Sequence, residues 1–188
     1  MSNSHPSNVL EHLLPDASDL PGLGPQRRPG AWPLARVNQR AADCVRGTAL
    51  LSATKELIRG TLLLWHDHLD AAHAIAQAVE DADGSLLHAI MHRREPDYWN
   101  SKYWFRRVGK HPCYPAIAAN ASALLKPEHP KLASRLISNG VWDPFAFVDA
   151  CEKAASTGTA GTEVCILQEI QRLEFESFLA HLSSSSKP

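Results

Sequence analysis

Residues 88–112 read HAIMHRREPDYWNSKYWFRRVGKHP and carry the strongest signals in this chain of 188 residues. Five of the thirteen aromatic residues lie there, with six Lys or Arg residues and only two acidic ones. The stretch divides at Glu95-Pro96, because proline disfavours helical backbone in the residue before it. Both halves have the three- and four-residue apolar spacing of a helix. The stretch therefore predicts two helices of one antiparallel hairpin.

Outward from this hairpin, the chain shows almost no period-two alternation, while Ala and Leu recur at helical spacing between turn signals. We expect Asp83-Gly84 to break the chain, Pro96 to lie in the first turn of a helix, and Gly109 to end that helix. The predicted helices cover residues 55–65, 70–79, 86–94, 96–108, 115–125, 130–138, 145–155 and 162–182. Asn139-Gly140 closes one of them, and Asp143-Pro144 supplies an N-cap and an N1 proline to the next. The prediction is an all-α fold of seven or eight helices in stacked antiparallel hairpins.

The two ends of the chain differ from its middle. Six of the thirteen prolines and three glycines lie in the first 33 residues, and such a composition resists regular structure. Residues 1–34 are expected to form a largely irregular arm, with at most one short helix near residues 9–14 and Trp32 as a candidate anchor. Residues 35–182 are predicted to be one all-helical domain, followed by a disordered tail over residues 183–188.

Charge and composition limit the classes of partner. The chain has 19 Lys or Arg and 20 Asp or Glu residues, so no global field draws it to nucleic acid or anionic membrane. The N-terminal residues lack the basic and apolar regions of a secretory signal, and no run of eighteen apolar residues occurs. The four cysteines form no CxxC pair, which favours reduced thiols and leaves a disulfide open. We expect a cytoplasmic protein with no membrane contact and no cofactor.

Residues 62–79 and 89–108 share a rhythm, in which an apolar helix ends in basic or His residues and a turn follows at Asp67 or Pro96. The second segment resembles the tetratricopeptide repeat, because residues of the expected types fall on the turn and after it: Pro96, Asp97, Tyr98, Ser101 and Phe105. Proline or aspartate replaces the usual turn glycine, and His88 replaces the small residue of the first helix. The units are 29 residues apart, against about 34 in that family. The resemblance implies stacked helix pairs.

A second resemblance covers residues 92–112, HRREPDYWNSKYWFRRVGKHP, together with WDPFAFVD at 142–149. These strings are similar to a family of small uncharacterised helical proteins found in bacteria and fungi. That resemblance implies a helical fold and carries no activity.

One histidine pattern is His66-Asp67-His68-Leu69-Asp70, which matches the HxHxD string of metallo-β-lactamase-type hydrolases. That resemblance would require a strand before the motif, whereas residues 55–65 predict a helix. It would also require a further His where this chain has Ala71. The pattern therefore argues against a dinuclear hydrolase.

The other histidine pattern is His88 and His92, which are four residues apart and so project from one face of a helix. This is the spacing of two nitrogen ligands in zincins, although Ala89 stands where their catalytic glutamate would be. A third ligand could come from His66, His68, His73 or His111 if the hairpins stack. We assign no metal, and the candidate ligands are His66, His68, His88 and His92.

Polar residues around the Glu95-Pro96 hinge form the candidate binding site. Guanidinium forks suit planar anions, so these residues could bind a carboxylate or a phosphate. The candidate ligand-binding residues are His88, Arg93, Arg94, Asn100, Lys102, Trp104, Arg106 and Arg107. In the competing structural interpretation, the arginines stack on tryptophan or pair with acidic residues of the last helix, Glu163, Glu169, Glu174 and Glu176.

Two functions follow. The leading one is a helical repeat-like binding domain that recognises a protein segment or a small anionic ligand through the 88–111 hairpin. The alternative is a small-molecule enzyme with His92 as acid/base and an arginine clamp, Arg93, Arg106 or Arg107, for a carboxylate or phosphate, in which Asp97 or Asp143 orients the histidine. Interleaved aromatic and basic residues also occur in single-strand nucleic-acid binders, but the neutral chain and helical setting argue against that partner.

Overall fold

The computed structural model describes residue 14 and residues 19–125, 128–157 and 161–184. These described residues form nine helices and one two-stranded sheet, which confirms the all-α fold class. The helices are α1 Leu34–Val45, α2 Ser52–Trp65, α3 Leu69–Ala78, α4 Ala82–Arg94, α5 Tyr98–Val108, α6 Tyr114–Leu125, α7 Pro130–Leu136, α8 Pro144–Ser156 and α9 Thr162–Ser184. The strands are β1 Ile137–Ser138 and β2 Val141–Trp142.

The first five helices pack mainly against their neighbours in the sequence, as expected for stacked hairpins. Helix α4 lies at the centre, since every residue from Gly84 to Arg94 is buried, and a helix buried on all sides belongs to the core. Helix α9 crosses this stack and packs against α2 and α6. The central position of α4 places both of its histidines and both of its arginines inside the protein.

The expectation that Asp83-Gly84 breaks the chain is wrong, because both residues lie inside the first turn of α4. Asp81 is the N-cap, and its carboxylate accepts the Gly84 N–H at 2.8 Å. A Cβ on Gly84 would lie 1.9 Å from the Val79 carbonyl oxygen, so glycine here permits a close backbone approach. The glycine is required by packing inside the helix and does not end it.

Helix α5 begins later than expected. Asp97 is its N-cap and accepts the Asn100 N–H at 3.3 Å, so Pro96 precedes the helix and does not lie in its first turn. The end is as predicted, because Gly109 follows Val108 with φ of 62°. The start of α8 is also confirmed, since the Asp143 carboxylate accepts the N–H groups of Phe145 and Ala146 at 2.9 and 3.0 Å.

The sequence pattern misses the β-hairpin. The expected helix over residues 130–138 ends at Leu136, and Ile137 and Ser138 pair antiparallel with Trp142 and Val141. Asn139 and Gly140 form the connection, with φ of 52° and 77°, and Asn-Gly is the strongest short hairpin signal in a sequence. Asn139-Gly140 therefore reverses the chain between two strands and does not close a helix.

The terminal segments contain two further differences. Residues 19–33 have no helix, and α1 begins at Leu34 as a helix that the spacing does not indicate. Ser183 and Ser184 belong to α9 and not to a disordered tail. The short helix expected near residues 9–14 and the rest of the tail fall outside the described residues, apart from Leu14. Among the described helices, none combines the length and the apolarity that crossing a membrane requires.

Candidate functional site

The His66-Asp67-His68 motif fastens the N-terminal arm to the domain. The Trp32 ring stacks on the His66 ring with centroids 4.4 Å apart. The backbone N–H of Trp32 donates to His66 Nδ1 at 3.2 Å. His68 Nε2 donates to the Trp32 carbonyl oxygen at 2.8 Å. Burial, aided by the Arg28 charge, lowers the pKa of His66 to about 4, which keeps it a neutral acceptor. The candidate metal ligands His66 and His68 therefore hold Trp32.

Asp67 lies between two arginines and is fully buried. Its carboxylate accepts the Arg28 N–H and Nε–H at 2.9 and 3.0 Å and Arg94 Nη2–H at 2.6 Å. Burial by itself raises the pKa of Asp67, but these donors outweigh it and hold the pKa below its usual range. Arg94 also donates to the carbonyl oxygens of Leu64 and Gly24. Arg94 thus joins the arm to the core and is not available to an external ligand.

Arg93 makes the contact that the structural interpretation predicts, an ion pair with an acidic residue of the last helix. It forms a fully buried ion pair with Glu174, with Nη2 2.5 Å from Oε2, and lies over the Phe147 ring at 4.4 Å. Arg106 and Arg107 are exposed, and the Arg107 guanidinium lies 5.2 Å from the centroid of Trp104. Arg93 is therefore committed to the core, and of the three arginines predicted for the clamp only Arg106 and Arg107 remain accessible to a ligand.

Lys102 is also committed to the fold. Its ammonium lies 2.5 Å from Asp149 and 3.7 Å from Glu152, both on α8. Of the predicted ligand-binding residues, His88, Asn100 and Trp104 remain together, and all three surround His92 or contact it through His88.

The histidine cluster consists of His73 on α3 and His88 and His92 on α4. The centroid distances are 4.7 Å for His73 and His88, 5.1 Å for His73 and His92, and 4.8 Å for His88 and His92. One nitrogen from each ring lies within 4.8 Å of the others. The sequence singled out His88 and His92, but it left His73 as one of four options for a third ligand. The packing of α3 against α4 selects His73.

His88 occupies the centre of the histidine cluster. Its ring lies between Trp104 at 3.9 Å and His92 at 4.8 Å, and the residue is 2% exposed. Neither ring nitrogen has a hydrogen-bond partner among the described residues. A buried polar group without a partner costs about 1–3 kcal/mol. His88 has two such atoms, and a metal ion bound to one of them would remove the cost of that atom.

The protonation of His88 suits a ligand. Burial, and then the proximity of His92 and His73, lowers the pKa of His88 to about 3. The imidazole is therefore neutral over the physiological range, which is the form that coordinates a metal. Burial likewise lowers the pKa of His92, against the opposing effect of Glu95.

The contacts of His92 define its tautomer. Nδ1 lies 3.1 Å from Glu95 Oε2, which can only accept, so Nδ1 carries the proton. Nε2 is then the acceptor for the Asn100 amide at 3.1 Å. The hydrogen bond that orients His92 involves Glu95, while the predicted Asp97 lies at ion-pair distance, with Oδ2 4.0 Å from Nδ1. Asp143, the other predicted residue, caps α8. A carboxylate on the far nitrogen of an imidazole is the usual outer-shell partner of a metal ligand.

A second cluster joins Asp83 of α4 to His111 and His181. Asp83 Oδ1 accepts from the Nε2–H of both histidines, at 2.8 and 2.9 Å. His111 Nδ1 accepts the Cys113 backbone N–H at 3.2 Å, which leaves the His111 proton on Nε2. Burial alone would raise the pKa of Asp83, but the two histidines outweigh it and lower the pKa.

The two clusters differ in their capacity for a metal. In the second, the Cys113 backbone N–H cannot be rotated away from His111 Nδ1, so Nε2 keeps its proton and faces Asp83. Burial raises the pKa of the Cys113 thiol, 2.9 Å from Nδ1, and keeps it protonated. In the histidine cluster, only the rotatable Asn100 side chain covers His92 Nε2. The second cluster therefore joins α4, α9 and the α5–α6 link, while the histidine cluster can coordinate.

Comparison of the chain with known protein families, with curated proteins and with solved structures finds no match.

Proposed function

We propose that this chain is a binding domain whose 88–111 hairpin, together with His73, holds a divalent transition metal of the zinc class. The metal in turn binds a small anionic ligand. The observation that carries the proposal is His88, buried in a group of three imidazoles with neither nitrogen hydrogen-bonded. The sequence alone predicts no metal, and it is the packing of His73 against α4 that argues for one.

The distances support coordination by the three imidazoles. Zinc binds histidine nitrogen at about 2.0–2.1 Å, so tetrahedral ligand nitrogens lie about 3.3 Å apart. The three nitrogens here lie within 4.8 Å of one another, so coordination requires the imidazoles to rotate about their side-chain bonds and bring the nitrogens closer. The Glu95 carboxylate already holds His92 in the tautomer with Nε2 unprotonated.

The ligand set indicates which metal and which ligand. Neutral imidazoles favour zinc, copper, nickel or iron over magnesium and calcium, which prefer oxygen. Three neutral ligands leave the positive charge of the ion uncompensated and a fourth position open. Such a position favours a carboxylate, a phosphate or hydroxide. This agrees with the small anionic ligand that the sequence analysis predicts.

The enzyme alternative depends on the same His92. The contact of Nδ1 with Glu95 at 3.1 Å favours an acid/base role, since a carboxylate partner orients an imidazole and supports its charged form. A metal on Nε2 would prevent proton transfer by that nitrogen, so the two functions exclude each other in one molecule.

The protein-segment alternative would use a different surface. Trp99 and Tyr103 are exposed on α5 and stack at 6.3 Å. This pair supports a partner of the hairpin without involving the histidine cluster.

The test is calorimetric titration of chelator-treated protein with Zn²⁺ at neutral pH. One equivalent should bind to the wild type, and His88→Phe and His73→Ala should abolish the binding. His88→Phe keeps a ring against Trp104 and removes only nitrogens without partners, and His73 is half-buried, so both variants should fold. His129→Phe is the matched control because His129 belongs to neither cluster, and it should bind zinc like the wild type.

The anion is tested with Co²⁺ in place of zinc, because its visible spectrum reports a change in coordination. Inorganic phosphate or acetate should alter the spectrum of the wild type. Full zinc binding by both histidine variants would disprove the metal site. Zinc binding with no spectral response to either anion would disprove the open position alone.

A further inference from the structure

A cavity of about 680 Å³ lies at the far end of the 88–111 hairpin, between the α5–α6 link, the β-hairpin and the start of α8. Its walls are mainly apolar and include Pro115, Val141, Trp142, Pro144 and Phe145. Cavities of about 300–1,000 Å³ with apolar walls and few polar groups are typical small-molecule sites. This cavity does not include the histidine cluster and is independent of the metal proposal.

Two glycines at backbone turns line the cavity. Gly109 ends α5 with φ of 62°, and Gly140 lies in the β-hairpin turn with φ of 77°. Both line the cavity, and no atom lies within 4 Å of the position that a Cβ would take on either. Left-handed backbone favours glycine. The turns therefore favour residues without a side chain at these two positions of the cavity wall.

The polar groups of the lining include one cation, Lys110, and one anion, Asp143. Lys110 is exposed, and within the described ranges it makes no ion pair or hydrogen bond. The Asp143 carboxylate accepts the N–H groups of Phe145 and Ala146, so it is committed to the helix cap. His111 points its Nε2–H at Asp83. Asp143 is held at the N-terminus of α8, where the helix dipole offsets part of its charge, so Lys110 is the charged group of the lining that remains able to pair with a ligand.

Two lining residues also carry donors without partners. Neither Trp142 Nε1 nor Tyr114 Oη has a hydrogen-bond partner among the residues that the structure describes, and both atoms are buried. Burial raises the pKa of Tyr114, so its hydroxyl is a neutral donor at physiological pH. Because both atoms are shielded from solvent, they lie behind the cavity wall and do not face its open space.

We propose that this cavity binds an amphipathic carboxylate, a molecule with an apolar chain or ring and one carboxylate group. The apolar part lies against Trp142 and Phe145, and the carboxylate pairs with the Lys110 ammonium. The apolar walls provide most of the affinity, since burial of hydrocarbon is worth about 0.8 kcal/mol per methylene. The charge selects the carboxylate over a neutral molecule of the same length.

The experiment titrates the full chain calorimetrically with octanoate and with octanol, which have the same hydrocarbon chain. Octanoate should bind more tightly than octanol. Lys110→Met removes the charge with little loss of side-chain length and should weaken octanoate about fivefold, the equivalent of about 1 kcal/mol for a partly exposed ion pair. Octanol binding should not change. Lys131→Met, an exposed lysine of α7 outside the cavity lining, is the control and should leave both affinities unchanged.

A second variant locates the site. Val141 is 65% exposed and lines the cavity, so Val141→Asp should fold and place a carboxylate beside the ligand. It should weaken octanoate more than octanol. Equal wild-type affinities for octanoate and octanol, or octanoate affinity that neither variant changes, would overturn the proposal. Failure of octanoate to bind at millimolar concentration would also overturn it, whatever the result with zinc.

Discussion

Asp67→Asn removes one charge from the buried Arg28–Asp67–Arg94 network and leaves its shape almost unchanged. Asparagine tolerates the left-handed backbone of Asp67, φ 63°, about as well as aspartate does. The carboxylate accepts three hydrogen bonds from the two arginines, whereas an amide offers one oxygen and turns its NH₂ toward a guanidinium. Removing one partner of a buried ion pair costs about 3–5 kcal/mol. At about 2–4 °C per kcal/mol for a chain of this size, Tm should fall by about 6–20 °C.

The loss should depend on pH. Because the folded-state pKa of Asp67 lies below its usual range, its stabilisation is fully present above the ordinary aspartate pKa of about 3.9 and is lost as the pH falls through the lower folded value. The difference in unfolding free energy between wild type and variant should therefore shrink below that pH. Urea unfolding between neutral pH and pH 2 measures it.

The same variant should loosen the arm, since Arg28 is fastened to the domain through Asp67. Trypsin should cleave the Arg27–Arg28 bond faster in Asp67→Asn than in the wild type, whereas the Arg28–Pro29 bond is not a trypsin site. Asp70→Asn is the control, because Asp70 is exposed in the first turn of α3 and should contribute only about 0.3–1 kcal/mol. A fall in Tm under about 3 °C, with unchanged cleavage after Arg27, would refute the role assigned to the network.

Two further predictions concern the core and the exposed arginines. Gly84→Ala should lower the unfolding free energy measured in urea by about 1–3 kcal/mol, because the added Cβ would meet the Val79 carbonyl oxygen. Gly60→Ala should cost less, since the nearest atom to its Cβ is the movable Leu87 Cδ2. The double variant Arg106→Ala and Arg107→Ala should change stability by no more than about 1 kcal/mol, since both residues are exposed and, among the residues that the structure describes, they lose only the Arg107–Trp104 contact. A cost near that of breaking a buried pair would contradict this assignment.

Helix ends were predictable where a local signal decides them. Gly109 ends α5 and Asp143 caps α8 through contacts within four residues. The predictions failed where a more distant contact decides. The sequence pattern predicts a chain break at Gly84, but this glycine lies inside α4 and allows the close approach of the Val79 carbonyl. Ile137 continues a helical pattern but pairs with Trp142 across the turn.

The candidate site was predictable to a similar extent. The i,i+4 spacing of His88 and His92 identifies two of the three imidazoles, since a helix places such residues on one face. The roles of the arginines were harder to predict. The sequence around an arginine is the same whether its guanidinium binds a ligand or a buried carboxylate. Arg93 meets Glu174 across 81 residues of sequence, and Arg94 meets Asp67 across 27.

The sequence by itself determined the all-α class, the α4–α5 hairpin and the pairing of His88 with His92, because these depend on apolar spacing and helix periodicity within a few residues. Only the tertiary structure decided that His73 completes the cluster, that His66 and His68 hold Trp32, and that Arg93 and Arg94 are buried. These outcomes depend on which helices pack together. Burial then removes water from each polar group and requires a partner, and that partner lies far along the chain.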